Sequence, residues 1–387
     1  MVINSQNRPK ILFVDHSAVL GGGELSLFDI VTAYSDNCEV LLFADGPFRE
    51  KLEAAQIRVR IATVPETVLN LRSSGGLEAL TSISGLNAIA SQIVQIAKAF
   101  DVIHANSQKA FIVCAIARLR GSPPVVWHLR DMLTAKHFSP INRYIVTILA
   151  NLCAARVLVN SHATGEAFIK VGGRKSLVRL VYNGIDAQAF RQVTPEQIQE
   201  IRQQLSIGDI PLIGSFSRLS FWKGQHILLE AIREIPGVHI LLVGSALFGE
   251  EDYVASLKKL SDSPELVGRV HWLGFRHDIP LLMKACDLVV HTSTEPEPFG
   301  RVIIEGQLAQ KPVIATAAGG AIELIEDGVT GSLTPPGDVI ALRAKILALL
   351  QDKTKAEQIA KQGCDRARVA FCVPTMLENF ETAISNL

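Results

Sequence analysis

The chain has 387 residues, nearly half of them hydrophobic, with 38 basic and 38 acidic side chains. That is too long for one ordinary core and predicts two domains, while the balanced charge argues against broad nucleic-acid binding. The six cysteines, Cys38, Cys114, Cys153, Cys286, Cys364 and Cys372, are dispersed without a C-x-x-C pair. They read as buried thiols of a cytosolic protein, not as a disulfide frame or zinc site.

The first ten residues run directly into a strand and lack the charged-then-apolar order of a secretory signal. Short apolar runs then alternate with helical patterns, as in parallel-sheet α/β domains. Strands are predicted over 10–15, 39–43, 101–105, 125–128, 156–159 and 178–182, with a long helix over 77–100. After the first strand, Gly21-Gly22-Gly23-Glu24 leads into the apolar pattern of Leu25, Leu27, Phe28, Ile30 and Val31. Glycines there let the backbone approach a ligand and leave helix N–H groups open to phosphate, although a lone glycine cluster is more commonly a turn. The cluster is neither G-x-G-x-x-G nor the P-loop pattern. His128 ends the strand Val125-Val126-Trp127, where ligand-facing residues of a parallel sheet sit; the plain alternative is a buried, hydrogen-bonded histidine. His104 and Asn106 are weaker candidates of the same kind, and His16 and Ser17 are candidates for an acceptor side. The apolar stretch 141–155 is interrupted by Arg143 and Asn151 and reads as a packed helix. No apolar run reaches the roughly 18 residues of a spanning helix.

Asn183-Gly184 is a turn signal closing the first domain. Residues 187–208, polar and containing Pro195, read as the connection, helical over part of its length. The alternation then resumes with strands over 212–216, 239–243, 270–273, 288–291 and 313–315. Helices follow over 338–350 and 353–370, and a last one starts at Pro374.

Two stretches of the second half carry chemistry. Pro211-Leu-Ile-Gly-Ser-Phe-Ser-Arg-Leu-Ser-Phe-Trp-Lys-Gly224 is a strand, a loop bearing Arg218 and Lys223, and a helix start. Two cations in such a loop suit a diphosphate clamp, because Arg grips oxygens through several donors and Lys adds a mobile charge; otherwise they are solvated loop charges. Glu295-Pro-Glu-Pro-Phe-Gly-Arg-Val-Ile-Ile-Glu305 sets Glu297 in a loop and Glu305 about two turns into the following helix. Helix N–H groups there would hold phosphate while carboxylates accept bonds from sugar hydroxyls. A helix N-terminus also favours an acid for its own sake, so the Glu pair alone decides nothing. No D-x-D motif and no metal-ligand spacing occurs, which favours metal-independent chemistry with no cofactor.

Together these stretches resemble the retaining glycosyltransferases of family four, whose signature is Glu, seven intervening residues and Glu, matched by Glu297 and Glu305. The family's Arg and Lys match Arg218 and Lys223 in "GSFSRLSFWKG". "VLGGGELSL", "VYNGID" at 181–186 and "KPVIATAAGGAIELIEDGVTGSL" from 311 match as well. The resemblance spans essentially the whole chain. It departs at Glu305-Gly306, where Glu-Ala is usual, and at "WHLRD" over 127–131, where many members have His-Asp.

The resemblance implies a GT-B fold, two Rossmann-like parallel-sheet domains facing each other across a cleft. An acceptor-side domain would cover 1–187, a nucleotide-sugar domain 188–370, and a C-terminal helix 371–387 would cross back to the first. It implies hexosyl transfer from a nucleotide sugar, UDP-glucose first and GDP-mannose behind, to a hydroxyl acceptor of a sugar or lipid-linked saccharide, with retention and without a covalent nucleophile. Arg218 and Lys223 would neutralise the leaving diphosphate, aided by amides at Gly300, Arg301 and Val302. Glu297 would orient sugar hydroxyls with the amides of Phe299 and Gly300, and Glu305 would accept from the ribose. Gly274 and Phe275 would face the base, Gly22 and Gly23 the diphosphate, and His128 a sugar hydroxyl. The domains would close about a hinge near 183–190. A cytoplasmic location is expected, with peripheral contact at the inner membrane surface left open. Two other readings remain: a nucleotide-sugar epimerase of the same fold, and a catalytically silent nucleotide-sugar-binding protein.

Overall fold

The computed structural model describes residues 8–63, 78–136, 138–246, 249–385 and 387. The expectations for residues 1–7 and for a helix start at Leu77 lie outside these. The chain divides into two compact units, Met1–Gly184 with Val373–Leu387, and Ile185–Cys372.

In the first unit β1 (Ile11–Asp15), β2 (Cys38–Leu42), β3 (Val59–Ile61), β4 (Val102–Ala105), β5 (Val125–Leu129), β6 (Ala154–Val159) and β7 (Val178–Leu180) form one sheet. Its order is β3-β2-β1-β4-β5-β6-β7, with every neighbour parallel. The connecting helices are α1 (Gly22–Ala33), α2 (Pro47–Ala54), α3 (Glu78–Ala97), α4 (Gln108–Leu119), α5 (Pro140–Cys153) and α6 (His162–Lys170). Residues of β1 alternate between two apolar clusters. Leu12 and Val14 join Ile103, Trp127 and Phe111, whereas Ile11 and Phe13 join Leu27 and Ile30 of α1. A sheet covered on both faces needs apolar residues at every strand position, which is why its inner strands read as continuous apolar runs. The edge strand β3 was not anticipated: it is three residues long, with an exposed Arg60 at its centre.

The second unit opens with α7 (Gln188–Arg191) and α8 (Pro195–Gln204), so the stretch read as a connection helical over part of its length is helical over most of it. Thr194 and Gln197 cap α8 reciprocally, and Arg202 on it donates to the Ala285 carbonyl at 2.7 Å. Strands β8 (Leu212–Phe216), β9 (His239–Val243), β10 (Val270–Gly274), β11 (Leu288–His291), β12 (Val313–Thr316) and β13 (Ser332–Thr334) form a parallel sheet ordered β10-β9-β8-β11-β12-β13. Helices α9 (Gln225–Arg233), α10 (Glu251–Ser261), α11 (Ile279–Ala285), α12 (Arg301–Leu308), α13 (Ala321–Leu324), α14 (Val339–Gln351) and α15 (Lys353–Ala370) follow. Edge strand β13, again a triplet, escaped the sequence reading.

The last helix, α16 (Val373–Ile384), returns to the first unit, where Met376 and Phe380 enter the cluster of Ile11 and Phe13. Each sheet reverses its winding once, between β1 and β4 and between β8 and β11. In open α/β sheets, ligands bind at the carboxyl ends of the strands flanking such a reversal.

Candidate active site

In the second unit the reversal brings the loop after β8 against the loop after β11. Gly224, at φ 70°, makes the approach possible: a Cβ there would lie 2.1 Å from the Thr292 carbonyl oxygen. Thr294 N–H donates to the Trp222 carbonyl (2.7 Å) and Thr292 Oγ1 to that of Lys223 (3.0 Å). Buried Gln225 ties down the rest of the first loop, donating from Nε2 to Ser217 Oγ and to the Arg218 carbonyl, each at 2.8 Å. The Arg218 backbone is thereby held while its side chain is exposed.

These bonds set the Lys223 ammonium against Glu297, to whose Oε1 it donates. Ser293 Oγ donates to the same oxygen at 2.7 Å, and His291 Nε2 lies 3.0 Å from it. The Lys223 Nζ also sits 4.1 Å from the centre of the Trp222 ring. Glu297 is buried; burial by itself raises its pKa, but Lys223, then His291, outweigh that and hold the carboxyl well below its ordinary value. The backbone of Glu297 is fixed in turn by Gly319 and Gly320, with Gly320 N–H donating to its carbonyl at 2.7 Å. A Cβ on Gly319 would strike that carbonyl at 2.3 Å.

Beyond Glu297, Gly300 precedes α12, whose first residues are Arg301 and Val302. Glu305, one turn on, pairs with Arg301 at 3.5 Å; burial raises its pKa, with Arg301 opposing. The Phe299 ring is core, packed edge-on against Phe371 at 6.1 Å, so only its backbone is available to a ligand. At the end of β10, Gly274 accepts from Gly244 N–H at 2.8 Å. Phe275 after it is exposed, edge-on to His277 at 4.8 Å.

The reversal in the first unit gathers a polar network. Buried Asp15 at the end of β1 accepts from His16 N–H (2.7 Å) and Asn106 Nδ2 (2.6 Å). Burial opposes its charge, but His16 and Asn106 together lower its pKa. His16 Nδ1 lies 2.8 Å from Ser107 Oγ and 3.3 Å from Asp15 Oδ1. Arg130 donates to Asn106 Oδ1 (3.0 Å), Ser26 Oγ (3.0 Å) and Asn183 Oδ1 (2.6 Å), anchoring the middle of the "VYNGID" element. Gly22 and Gly23 open α1 beside it, and Asn106 Nδ2 reaches the Gly23 carbonyl at 3.5 Å.

His128 departs from expectation. Its side chain points from β5 into the interior rather than beyond the strand end, and it is fully buried. Its Nδ1 lies 3.1 Å from His104 Nε2, and His104 packs on Phe13 and Phe380. Burial, then Arg130 and His104, push the His128 pKa well down; burial and Arg130 take His104 to about 3. Both rings are buried and offer no surface to a sugar. Sequence reasoning passed over Asp15, Arg130, His291 and Ser293. The alternation of His291 and Ser293 at a strand end, just before Glu297, was the available signal.

The profile described as glycosyl transferases group 1 matches residues 197–366, and that of glycosyltransferase family 4 matches 20–189. HepE of Anabaena, solved in complex with UDP-glucose, is 43% identical over 98% of this chain and all of its own, with a TM-score of 0.90. The chain belongs to glycosyltransferase family four. Its two Rossmann-like sheets are those of the GT-B fold. This family-four chain is also 27% identical to D-inositol 3-phosphate glycosyltransferase of Mycobacterium marinum, over 67% of its length and 57% of that protein. With the lipopolysaccharide core biosynthesis glycosyltransferase LpsE of Rhizobium meliloti it shares 32% identity, over 40% of its length and 44% of that protein. Among the described residues no helix is long and apolar enough to cross a membrane, and no cluster has the makings of a metal site.

Proposed function

We propose that this chain transfers a hexosyl group from UDP-glucose to a hydroxyl acceptor in polysaccharide or glycolipid biosynthesis, with retention at the anomeric carbon. The observation that carries the reading is Glu297, held ionised at the winding reversal by Lys223, His291 and Ser293. The HepE complex with UDP-glucose supports the donor, and the name of LpsE supports the class of product.

The three bonds converge on Oε1 and leave Oε2 for a sugar hydroxyl. Lys223 spends one N–H on Glu297 and aims the others, with the exposed Arg218, at the leaving diphosphate. Amides of Gly300, Arg301 and Val302 add to this stabilisation. Such preorganised donors are worth about 10²–10³ in rate each. Glu305 takes the ribose hydroxyls and Phe275 lies against the base. The bond from the anomeric carbon to the diphosphate oxygen breaks and the acceptor oxygen bonds on the same face. The acceptor's proton passes to the departing phosphate, giving UDP and glycoside. The scheme uses positive side chains and backbone amides and calls on no metal or cofactor. His128 is assigned no contact with the sugar.

Incubation with UDP-glucose labelled in the sugar, with and without oligosaccharide and lipid-linked acceptors, tests the reading. Labelled glycoside whose anomeric configuration by NMR matches the donor is expected. An inverted product overturns retention, and acceptor-independent release of an epimerised sugar overturns transfer.

A further inference from the structure

Helix α5 is expected to hide an apolar face and show a polar one, as α8 does by exposing Glu196, Gln199, Glu200 and Gln203. It buries Val146, Thr147, Ala150 and Cys153. Yet every exposed position along it is apolar or aromatic: Pro140, Ile141, Tyr144, Ile145, Ile148 and Leu152. Ile141, Tyr144 and Leu152 are 69%, 67% and 73% exposed. Their spacing by three and four residues puts them on one stripe, roughly 16 Å long from Ile141 to Leu152. The helix is thus apolar on two sides, and the sequence reading of a simply packed helix was incomplete. A contiguous stripe of large apolar side chains marks an interaction surface.

Charge around the stripe selects its partner. Helix α5 itself contains Arg143 and no acidic residue. From residue 136 to 179 the chain carries Lys136, Arg143, Arg156, Lys170, Arg174, Lys175 and Arg179 against one acid, Glu166. This local excess stands out in a chain whose total charge is balanced. Exposed Arg174 is fixed at the end of the stripe, its N–H donating to Asn151 Oδ1 at 2.9 Å. Exposed Lys170, Lys175 and Arg179 lie close to it in sequence. A second protein copy would bring the same positive charge to this face, whereas an anionic lipid surface takes both the apolar stripe and its cationic surroundings. Tyr144, with an apolar ring and a polar tip, suits the boundary between headgroups and acyl chains.

We propose that α5 lies in the surface of an anionic membrane, its stripe of Ile141, Tyr144, Ile145, Ile148 and Leu152 among the headgroups. The test is co-sedimentation of the full chain with vesicles of phosphatidylglycerol and phosphatidylcholine, and with phosphatidylcholine alone. Binding to the anionic vesicles that weakens with salt is expected. The double variant Ile145→Ser, Leu152→Ser should lower the partition coefficient by roughly tenfold or more. Both residues are exposed, and circular dichroism with UDP titration shows whether the variant keeps its fold and site. Wild-type binding by the folded variant, or equal binding to both vesicle types, overturns the proposal. A dimer that the substitutions dissociate, without vesicle binding by the wild type, would make the stripe an interface between copies and overturn it equally.

Discussion

Replacing Lys223 with methionine probes the centre of the site. Methionine keeps an unbranched stem against Trp222 and removes the ammonium. Glu297, with its side chain 8% exposed, then keeps only Ser293 and His291 on Oε1. Stripping one partner from a buried pair costs about 3–5 kcal/mol when nothing replaces it. With two donors left, and Lys223 itself 14% exposed, we expect about 2 kcal/mol for unfolding of the second unit. The pH dependence has a definite sign. In the native protein the Glu297 pKa lies below its unfolded value of 4.5, so its contribution is present above that pH and is lost as pH falls towards the folded value. Without Lys223 the largest influence opposing burial is gone, and the carboxyl pKa should rise from its native value. The variant's deficit should therefore be largest near neutral pH and shrink as the pH falls into the acidic range, where the native carboxylate loses its own contribution. Urea unfolding at about pH 7.5 and pH 5, followed by tryptophan fluorescence, measures this. Adding Glu297→Gln removes the stranded charge and should recover most of the lost stability but none of the activity, which stays down by about 10²–10³ in both variants. Wild-type stability of Lys223→Met at both pH values, or losses that simply add in the double variant, would refute the buried coupling.

Arg218→Ala should leave stability within about 0.5 kcal/mol, because the side chain is exposed, yet cut turnover by about 10²; near-normal turnover rejects the clamp. Glu305→Gln should weaken binding of UDP itself, whereas Glu297→Gln should spare UDP and weaken UDP-glucose. Calorimetry giving the reverse pattern would exchange these roles. Gly224→Ala places a Cβ 2.1 Å from the Thr292 oxygen at a left-handed residue, and should cost about 3 kcal/mol or more with loss of activity. An unchanged melting temperature would show that the two loops are not locked as described.

Much of the sheet was legible in the sequence. Strands such as Ile11–Asp15 and Leu212–Phe216 are buried at every position, so their apolar runs carry the signal with no help from neighbours. The triplets β3 and β13 were missed because an edge strand of three residues needs no such run and takes its definition from the strand it pairs with. Residues 187–208 were read as a linker because α8 is polar over most of its surface. The contact by which α8 packs, from Arg202 to the Ala285 carbonyl, is one that no local pattern announces.

The site divides along the same line. Sequence alone marked Arg218, Lys223, Glu297 and Glu305, since residue type, spacing and the flanking strand and helix signals are local properties that a reader of the chain can see. That the Lys223 ammonium meets a carboxylate 74 residues away was decided by the winding reversal between β8 and β11. The same fold recruited His291 and Ser293 to the pair. Tertiary packing likewise turned His128 inward to His104 and Arg130 towards Asn106 and Asn183. It also left the second apolar face of α5 uncovered. Periodicity reports that a side chain is apolar or polar; only the assembled sheets and helices determine which surface it meets.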